Sequence, residues 1–272
     1  MLSSAIVLVA NEPYLPHARS VMVNCRRQGK WTGDFCLVIP PEVDATEFTS
    51  RGIHVLPDSG GKYQRKFAIM DPFFLKWEIM VYLDCDVLVQ APLAPLLHEV
   101  EWGTILADRE PFDLNHAFIY FAKPEDLKNP ETQERLQWLW DKYDREWNQF
   151  NAGIMLWHPR CMPEDGQEQL NAMRDKLQPI NTHCGGGSDQ TILDLVYYKR
   201  FRQVRSNLFC YWRQAWEQTI IVHTCAGYAP WIENPSDQES RVNEKLNRPY
   251  YDIYTENLAA FDKEFPKQET EQ

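Results

Sequence analysis

Short apolar runs alternate with amphipathic segments along this 272-residue chain. The run "AIVLVA" precedes "YLPHARSVMVNCRRQGK", in which Ala18, Val21, Met22 and Cys25 recur at helical spacing, and "DFCLVIP" follows. Further strand-like runs are "GIHVLP", "EIMVYL", "WGTILAD" and "FNAGIMLW", and "PETQERLQWLWDKYDREW" is a polar helical segment between the last two. This alternation predicts an α/β fold, with a mainly parallel sheet flanked by helices and a Rossmann-like nucleotide-binding half.

The length and composition are those of one globular domain. Hydrophobic residues make up 44% of the chain, which is enough for a full core. We expect the main domain to span 1–235. The segment 236–272 contains "RPYYDIYTENLAAFDKEF", which predicts a closing helix packed on that domain.

Charge and cysteine usage limit the function and the compartment. A net charge of -11 argues against a nucleic-acid partner, so an anionic ligand would need a metal ion or a few well-placed basic residues. No apolar run approaches the roughly 20 residues of a transmembrane helix, and the start lacks a signal-peptide pattern. Seven scattered cysteines without a C-x-x-C pair are typical of reduced thiols, which predicts a cytoplasmic protein.

Two aspartates, Asp84 and Asp86, follow the apolar strand "VYL". In an extended backbone, residues two apart share a face, so both carboxylates can hold one hard dication such as Mg²⁺ or Mn²⁺. Ligands of parallel sheets bind beyond the carboxyl ends of the strands, where this pair is expected. The alternative is a pair of turn or capping aspartates.

Four blocks in order carry a resemblance to a known family. The blocks are "VYLDCDVLV", "FNAGIMLW", "SDQTILD" and "VHTCAGYAPW". Together they resemble the D-x-D segment and the later motifs of glycosyltransferase family 8, the retaining enzymes that include glycogenin and bacterial lipopolysaccharide galactosyltransferases. The resemblance implies a GT-A fold in a single domain.

The resemblance also implies a metal site and a sugar pocket. Asp84 and Asp86 would hold Mn²⁺, with Mg²⁺ as the alternative, against the donor diphosphate, and His223 would be the third protein ligand. Asn151, Asp189 and Gln190 would line the sugar pocket as catalytic residues, because amides and carboxylates bond sugar hydroxyls. The alternative role for Asn151 is to cap a turn before Gly153.

The donor nucleotide is expected at the opening of the chain. There, "VANEPYLPHARS" resembles the loop that holds the base and ribose, which implicates Ala10, Asn11 and Tyr14. Cys85 of the D-x-D segment and Gly227 of the last block would also contact the donor.

One departure from the family pattern concerns the diphosphate. Ala229 stands where the family has a lysine before P-W, so a contact that stabilises the leaving nucleotide is missing. Candidate substitutes are Lys62, Arg65 and Lys66, with Lys66 preferred. The alternative for this basic cluster is a solvated helix start.

These features predict a metal-dependent glycosyltransferase. It would move a hexose from a UDP-sugar donor to a carbohydrate or other hydroxyl acceptor with retention of configuration, as the resemblance implies. The alternative is a non-catalytic nucleotide-sugar or glycan binding protein that has lost the diphosphate lysine. The donor sugar, the acceptor and the oligomeric state stay open.

Overall fold

Ten strands and a set of flanking helices make up the described parts of the protein. The computed structural model describes residues 3–61, 64–120, 124–177, 189–204, 209–211, 219–224, 231 and 238–268. The strands are β1 (Ser4–Val9), β2 (Asp34–Ile39), β3 (His54–Pro57), β4 (Ile79–Leu83), β5 (Val87–Val89), β6 (Ile105–Asp113), β7 (Asn148–Trp157), β8 (Phe201–Gln203), β9 (Phe209–Tyr211) and β10 (Ile221–His223).

The α-helices lie mostly between these strands. They are α1 (Leu15–Arg27), α2 (Thr46–Thr49), α3 (Ala94–Leu97), α4 (Pro124–Leu127), α5 (Pro130–Lys142), α6 (Gly166–Leu177), α7 (Asp189–Val196) and α8 (Gln238–Glu264). Short 3₁₀ helices cover Glu12–Tyr14, Gln64–Met70, Pro72–Lys76 and Pro159–Cys161, and a π-helical turn covers His116–Tyr120.

Seven strands form one sheet in the order β3-β2-β1-β4-β7-β6-β8. The pairs β1–β2, β2–β3, β1–β4 and β6–β8 are parallel, whereas β7 runs antiparallel to both β4 and β6. The sheet is therefore mainly parallel, as the alternating sequence pattern predicts. The carboxyl ends of β1, β4 and β6 and the start of β7 meet at one edge, which we call the ligand edge.

Both faces of this sheet are buried. In β1, Ala5 and Val7 pack into one core, whereas Ile6 and Leu8 pack into the other. Strand β4 repeats the pattern, with Tyr82 in the first core. Continuous apolar runs such as "AIVLV" and "IMVYL" are the expected sequences for strands covered on both faces.

Pro72 marks a break between two short helices. Asp71 lies between two 3₁₀ helices, and its side chain accepts a hydrogen bond from the Phe73 amide at 2.7 Å. Proline has no amide hydrogen to continue the first helix, and Asp71 caps the second.

Helix α8 packs against α1 at the end of the chain. Arg27 pairs with Glu264 at 3.0 Å, and the rings of Phe48 and Phe261 meet edge to face. Helix α8 covers most of the segment 236–272, and the expected boundary between 235 and 236 lies outside the described residues. None of the described helices combines the length and the apolar character needed to cross a membrane.

Candidate functional site

Asp84 and Asp86 lie in the turn between β4 and β5, at the ligand edge. The Asp84 amide donates to the Gly153 carbonyl of β7 at 2.8 Å. The Asp86 carbonyl accepts from the amide and the hydroxyl of Thr224, at 3.0 and 2.6 Å. The carboxylates therefore converge because a turn is fixed on both sides, and not because they share one face of an extended strand as the spacing suggested.

His223 joins the two aspartates through a second, smaller sheet. Strands β5, β10 and β9 form that sheet, and β10 runs antiparallel to β5 with His223 opposite Val87. Nε2 of His223 lies 3.2 Å from Asp86 Oδ1 and 3.7 Å from Asp84 Oδ2. One ligand atom from each of the three residues fits within 4.8 Å. This spacing suits a metal ion bound by two oxygens and one imidazole nitrogen.

Asn151 fixes which nitrogen of His223 faces the carboxylates. Asn151 Oδ1 accepts from the Gly153 amide at 2.9 Å and lies 3.0 Å from His223 Nδ1, while its Nδ2 donates to Glu110 Oε1 at 2.7 Å. Because the amide oxygen is only an acceptor, Nδ1 of the imidazole must carry a proton. A neutral imidazole then turns its Nε2 lone pair toward Asp84 and Asp86, so the group needs a cation there, a metal ion or a proton.

Gly153 makes room for this histidine. A Cβ atom at position 153 would lie 2.3 Å from Cε1 and 2.7 Å from Nδ1 of His223. The glycine of "FNAGIMLW" is therefore required by the close approach of β7 to the imidazole.

Asp84, Asp86 and His223 form a candidate metal-binding group, called the metal-binding group below. Lys66 connects this group to Asp189 at the start of α7. Its ammonium lies 3.1 Å from Asp84 Oδ1, 2.5 Å from Asp189 Oδ2 and 3.3 Å from the Ala152 carbonyl oxygen. Burial alone would lower the pKa of Lys66, but the charges of Asp189 and Asp84 outweigh it and raise that pKa above its ordinary value. Lys66 is therefore a fixed positive charge beside Asp84 and Asp189.

Buried groups around the aspartates also have shifted pKa values. Burial favours the neutral acid, but the positive charge of His223, when its imidazole is protonated, outweighs burial and holds the pKa of Asp86 below its usual value. Burial and the Asp84 charge raise the pKa values of the Tyr82 hydroxyl and the Cys85 thiol. Tyr82 and Cys85 therefore stay neutral, and the Tyr82 hydroxyl donates to Asp84.

A cavity of about 330 Å³ opens in front of these groups. The predicted site residues that line it come from several elements of the ligand edge: Asn11, Tyr14, Lys66, Asp84, Cys85, Asp86 and Asp189. Among the described residues, the buried Asn11 Oδ1 has no hydrogen-bond partner, so a donor group of a ligand would satisfy it.

Other predicted residues lie behind the cavity wall. Ala10 is buried and its amide donates to Val38. Gln190 Oε1 accepts from the Ala152 amide at 3.1 Å, and Asn151 is 8% exposed. Gly227, Ala229 and Lys62 lie outside the described residues.

Sequence reasoning missed two groups at this site. Trp231 lines the cavity and stacks on His17, with ring centroids 3.7 Å apart and planes at 12°. Tyr14 meets both rings edge to face. Glu110, which holds Asn151, was also missed. The final tryptophan of "VHTCAGYAPW" was a usable signal, but no pattern around Glu110 marks it.

The fold and this edge define the class of protein. The sheet order and the aspartate turn at its ligand edge are those of a GT-A glycosyltransferase fold, and solved structures bear this out. No protein-family model matches the sequence, and neither does any curated protein.

Three solved glycosyltransferases illustrate the likeness. GlyE of Streptococcus pneumoniae TIGR4 matches with a TM-score of 0.62 at 14% identity, over 100% of this chain and 66% of GlyE. The galactosyltransferase LgtC, solved with donor and acceptor sugar analogues, matches with a TM-score of 0.62 at 13% identity, over 93% of this chain and 95% of LgtC. The bifunctional WbbM matches with a TM-score of 0.61 at 16% identity, over 95% of this chain and 50% of WbbM.

The chain thus spans about two thirds of GlyE and half of WbbM, but nearly all of LgtC. At these identities the likeness establishes the fold. The expected GT-A fold is confirmed, and it fits the resemblance to glycosyltransferase family 8.

Proposed function

We propose that this protein is a divalent-metal-dependent glycosyltransferase that takes a hexose from a UDP-sugar. The observation that carries the proposal is the orientation of His223. Its Nδ1–H is committed to Asn151, so Nε2 faces two carboxylates within the reach of one ion. The donor set of two carboxylate oxygens and one imidazole nitrogen fits Mn²⁺, with Mg²⁺ as the less favoured ion.

A bound dication would supply positive charge to balance the diphosphate as it leaves. The residues around it have separate tasks in this proposal. Tyr14 and Trp231 offer aromatic surface to the flat base, and the buried Asn11 oxygen accepts a hydrogen bond from the nucleotide. Lys66 supplies the fixed charge that Ala229 does not, because its ammonium already reaches the aspartate turn.

Asp189 is the proposed partner of the transferred sugar. It lines the cavity on the β7 side and is held by Lys66, so its second oxygen can accept from a hydroxyl. In the transfer itself, the bond between the anomeric carbon and the diphosphate oxygen breaks, and the acceptor oxygen bonds to that carbon. The acceptor proton passes to the leaving phosphate oxygen. This front-face route accounts for retention without a protein nucleophile.

Nucleotide release tests the proposal. Wild-type protein is incubated with UDP-galactose, UDP-glucose, GDP-mannose and CMP-sialic acid, each with Mn²⁺, with Mg²⁺ or with chelator. We expect release of UDP from a UDP-hexose, faster in Mn²⁺ than in Mg²⁺ and absent in chelator. Release that is indifferent to chelator, or equal for all nucleotides, would contradict the proposal. Tight binding of UDP-hexose without any turnover would favour the non-catalytic alternative.

A further inference from the structure

A second cavity lies at the same edge of the sheet, beyond the proposed donor site. It measures about 260 Å³ and is lined by Pro111, Phe112, Asp113, Asn115, His116 and Ile119. Five of these residues belong to the end of β6 or to the π-helical turn after it, and Asn115 lies between the two elements. Such turns are rare and frequently occur at functional sites.

Phe112 gives this cavity an apolar surface that is open to solvent. It is 45% exposed, and the only other exposed large hydrophobic residue in the described part of the chain is Trp102, at 67%. The Phe112 ring stacks on the His116 imidazole, with centroids 4.3 Å apart and planes at 9°. The stack holds one face of the phenyl ring in place.

The rim of the cavity is polar. Asp113 accepts a hydrogen bond from the His116 amide at 2.7 Å, which ties the end of β6 to the π-helical turn. Asn115 is exposed beside it. A pyranose has an apolar face of C–H groups and a rim of hydroxyls, so one aromatic ring flanked by carboxylate, amide and imidazole matches its surface.

The strand order sets the position of this cavity relative to the metal-binding group. Along the ligand edge, the order β1-β4-β7-β6 leads from Asn11 and Tyr14, past the aspartate turn, to Phe112. Neighbouring strands lie about 4.8 Å apart, so β6 is roughly 10 Å from β4 across the sheet. Asp113 pairs with Asn148, whereas the Asp84 amide bonds Gly153 further along β7, so Phe112 also lies beyond the aspartate turn along the strand direction. A transferred hexose and the sugar that accepts it can occupy this interval.

Strand β8 does not extend over this region. Its pairing with β6 covers Ile105 to Ala107, so the Phe112 end of β6 projects beyond β8. Phe112 at this end is 45% exposed, so the cavity is open to solvent in the part of the chain that the structure describes. Pockets for drug-sized ligands have volumes of about 300 Å³ or more. This cavity is slightly smaller, and its size suits a single sugar ring.

We propose that Phe112 and the polar rim around it form an acceptor subsite that binds a pyranose ring of a glycan. The inference rests on the proposed function, because only a sugar-transferring enzyme needs an acceptor at this position. It adds the chemical class of the acceptor and the residues that select it.

Saturation-transfer NMR tests the subsite directly, without any need for turnover. Methyl β-galactoside, methyl β-glucoside, lactose and cellobiose serve as probes with wild type, Phe112→Ala and the matched control Trp102→Ala. Trp102 is more exposed than Phe112 and precedes the opposite end of β6. We expect at least one probe to bind wild type and Trp102→Ala alike, and to bind Phe112→Ala about tenfold more weakly.

Hydrolysis of the UDP-hexose without an acceptor sugar is measured on wild type and Trp102→Ala, and Trp102→Ala should leave it unchanged. Absence of binding by all four sugars, or equal binding by Phe112→Ala and wild type, would overturn the acceptor subsite. Absence of donor hydrolysis in wild type would instead contradict the proposed function, since the NMR result does not depend on it.

Discussion

A single methyl group at position 153 should disable the metal-binding group. In Gly153→Ala the new Cβ would lie 2.3 Å from His223 Cε1, whereas carbon atoms in contact stay about 3.5 Å apart or more. The imidazole must therefore move by about 1.2 Å, although metal–ligand distances tolerate only about 0.2 Å. Either Nε2 leaves the metal or the 3.0 Å contact between Nδ1 and Asn151 breaks.

We expect Gly153→Ala to lower the affinity for Mn²⁺ by at least 10- to 100-fold, the usual effect of losing an outer-shell partner. Overpacking should also lower the free energy of unfolding by about 1–3 kcal/mol. Gly166→Ala is the control, because the atoms nearest to its Cβ are the Tyr197 hydroxyl at 3.0 Å and two Met70 carbons at 3.4 and 4.0 Å, and none of them belongs to His223 or the two aspartates. Calorimetric titration with Mn²⁺ measures affinity, and thermal melting measures stability. A folded Gly153→Ala protein with wild-type Mn²⁺ affinity would refute the proposed role of His223.

Three further perturbations address other parts of the site. Lys66→Ala should weaken UDP-hexose binding in Mn²⁺ by about 10- to 100-fold, because a charge-assisted contact is lost. Calorimetry measures this affinity, and an unchanged value would mean that another cation stabilises the diphosphate. Asn151→Ala should lower Mn²⁺ affinity itself by about 10- to 100-fold, whereas a mere sugar contact would lower only donor affinity. Burial outweighs the nearby Asp86 charge and lowers the pKa of His17 to about 4, below its unfolded value near 6.5. The unfolded state therefore binds more protons between these values, so the stability of wild type should fall as pH drops from 6.5 to 4. Melting curves of His17→Asn should show a smaller fall over that range, and an identical fall would contradict the assignment.

Six of the seven strands of the main sheet, all except β8, were predictable because their signals are local. Runs such as "AIVLVA" and "VYL" are buried on both faces, so their composition marks each strand without knowledge of its neighbours. The aspartate turn also stands at a strand end and is visible in the sequence. Asp84 and Asp86 could therefore be placed at the ligand edge before the structure was known.

The route by which His223 reaches the aspartates was not predictable. The family resemblance implied the meeting, but the structure achieves it through an antiparallel pair of three-residue strands in a separate sheet. Strands of that length carry too little pattern to reveal a partner. Glu110 is a similar case, because its role depends on the register of β6 against β7, which shifts twice beyond Ala107.

Calorimetric titration of a UDP-hexose into wild type and Asp86→Asn, with Mn²⁺ and with chelator, tests the central claim most directly. The control is Asp44→Asn, at an exposed residue whose carboxylate accepts a hydrogen bond from the Thr46 amide at 2.8 Å. We expect wild type and the control to bind in Mn²⁺ and to lose binding in chelator, and Asp86→Asn to bind at least about 100-fold more weakly in Mn²⁺. Wild-type binding that is unaffected by chelator, or normal binding by Asp86→Asn, would contradict the account of a metal-dependent glycosyltransferase.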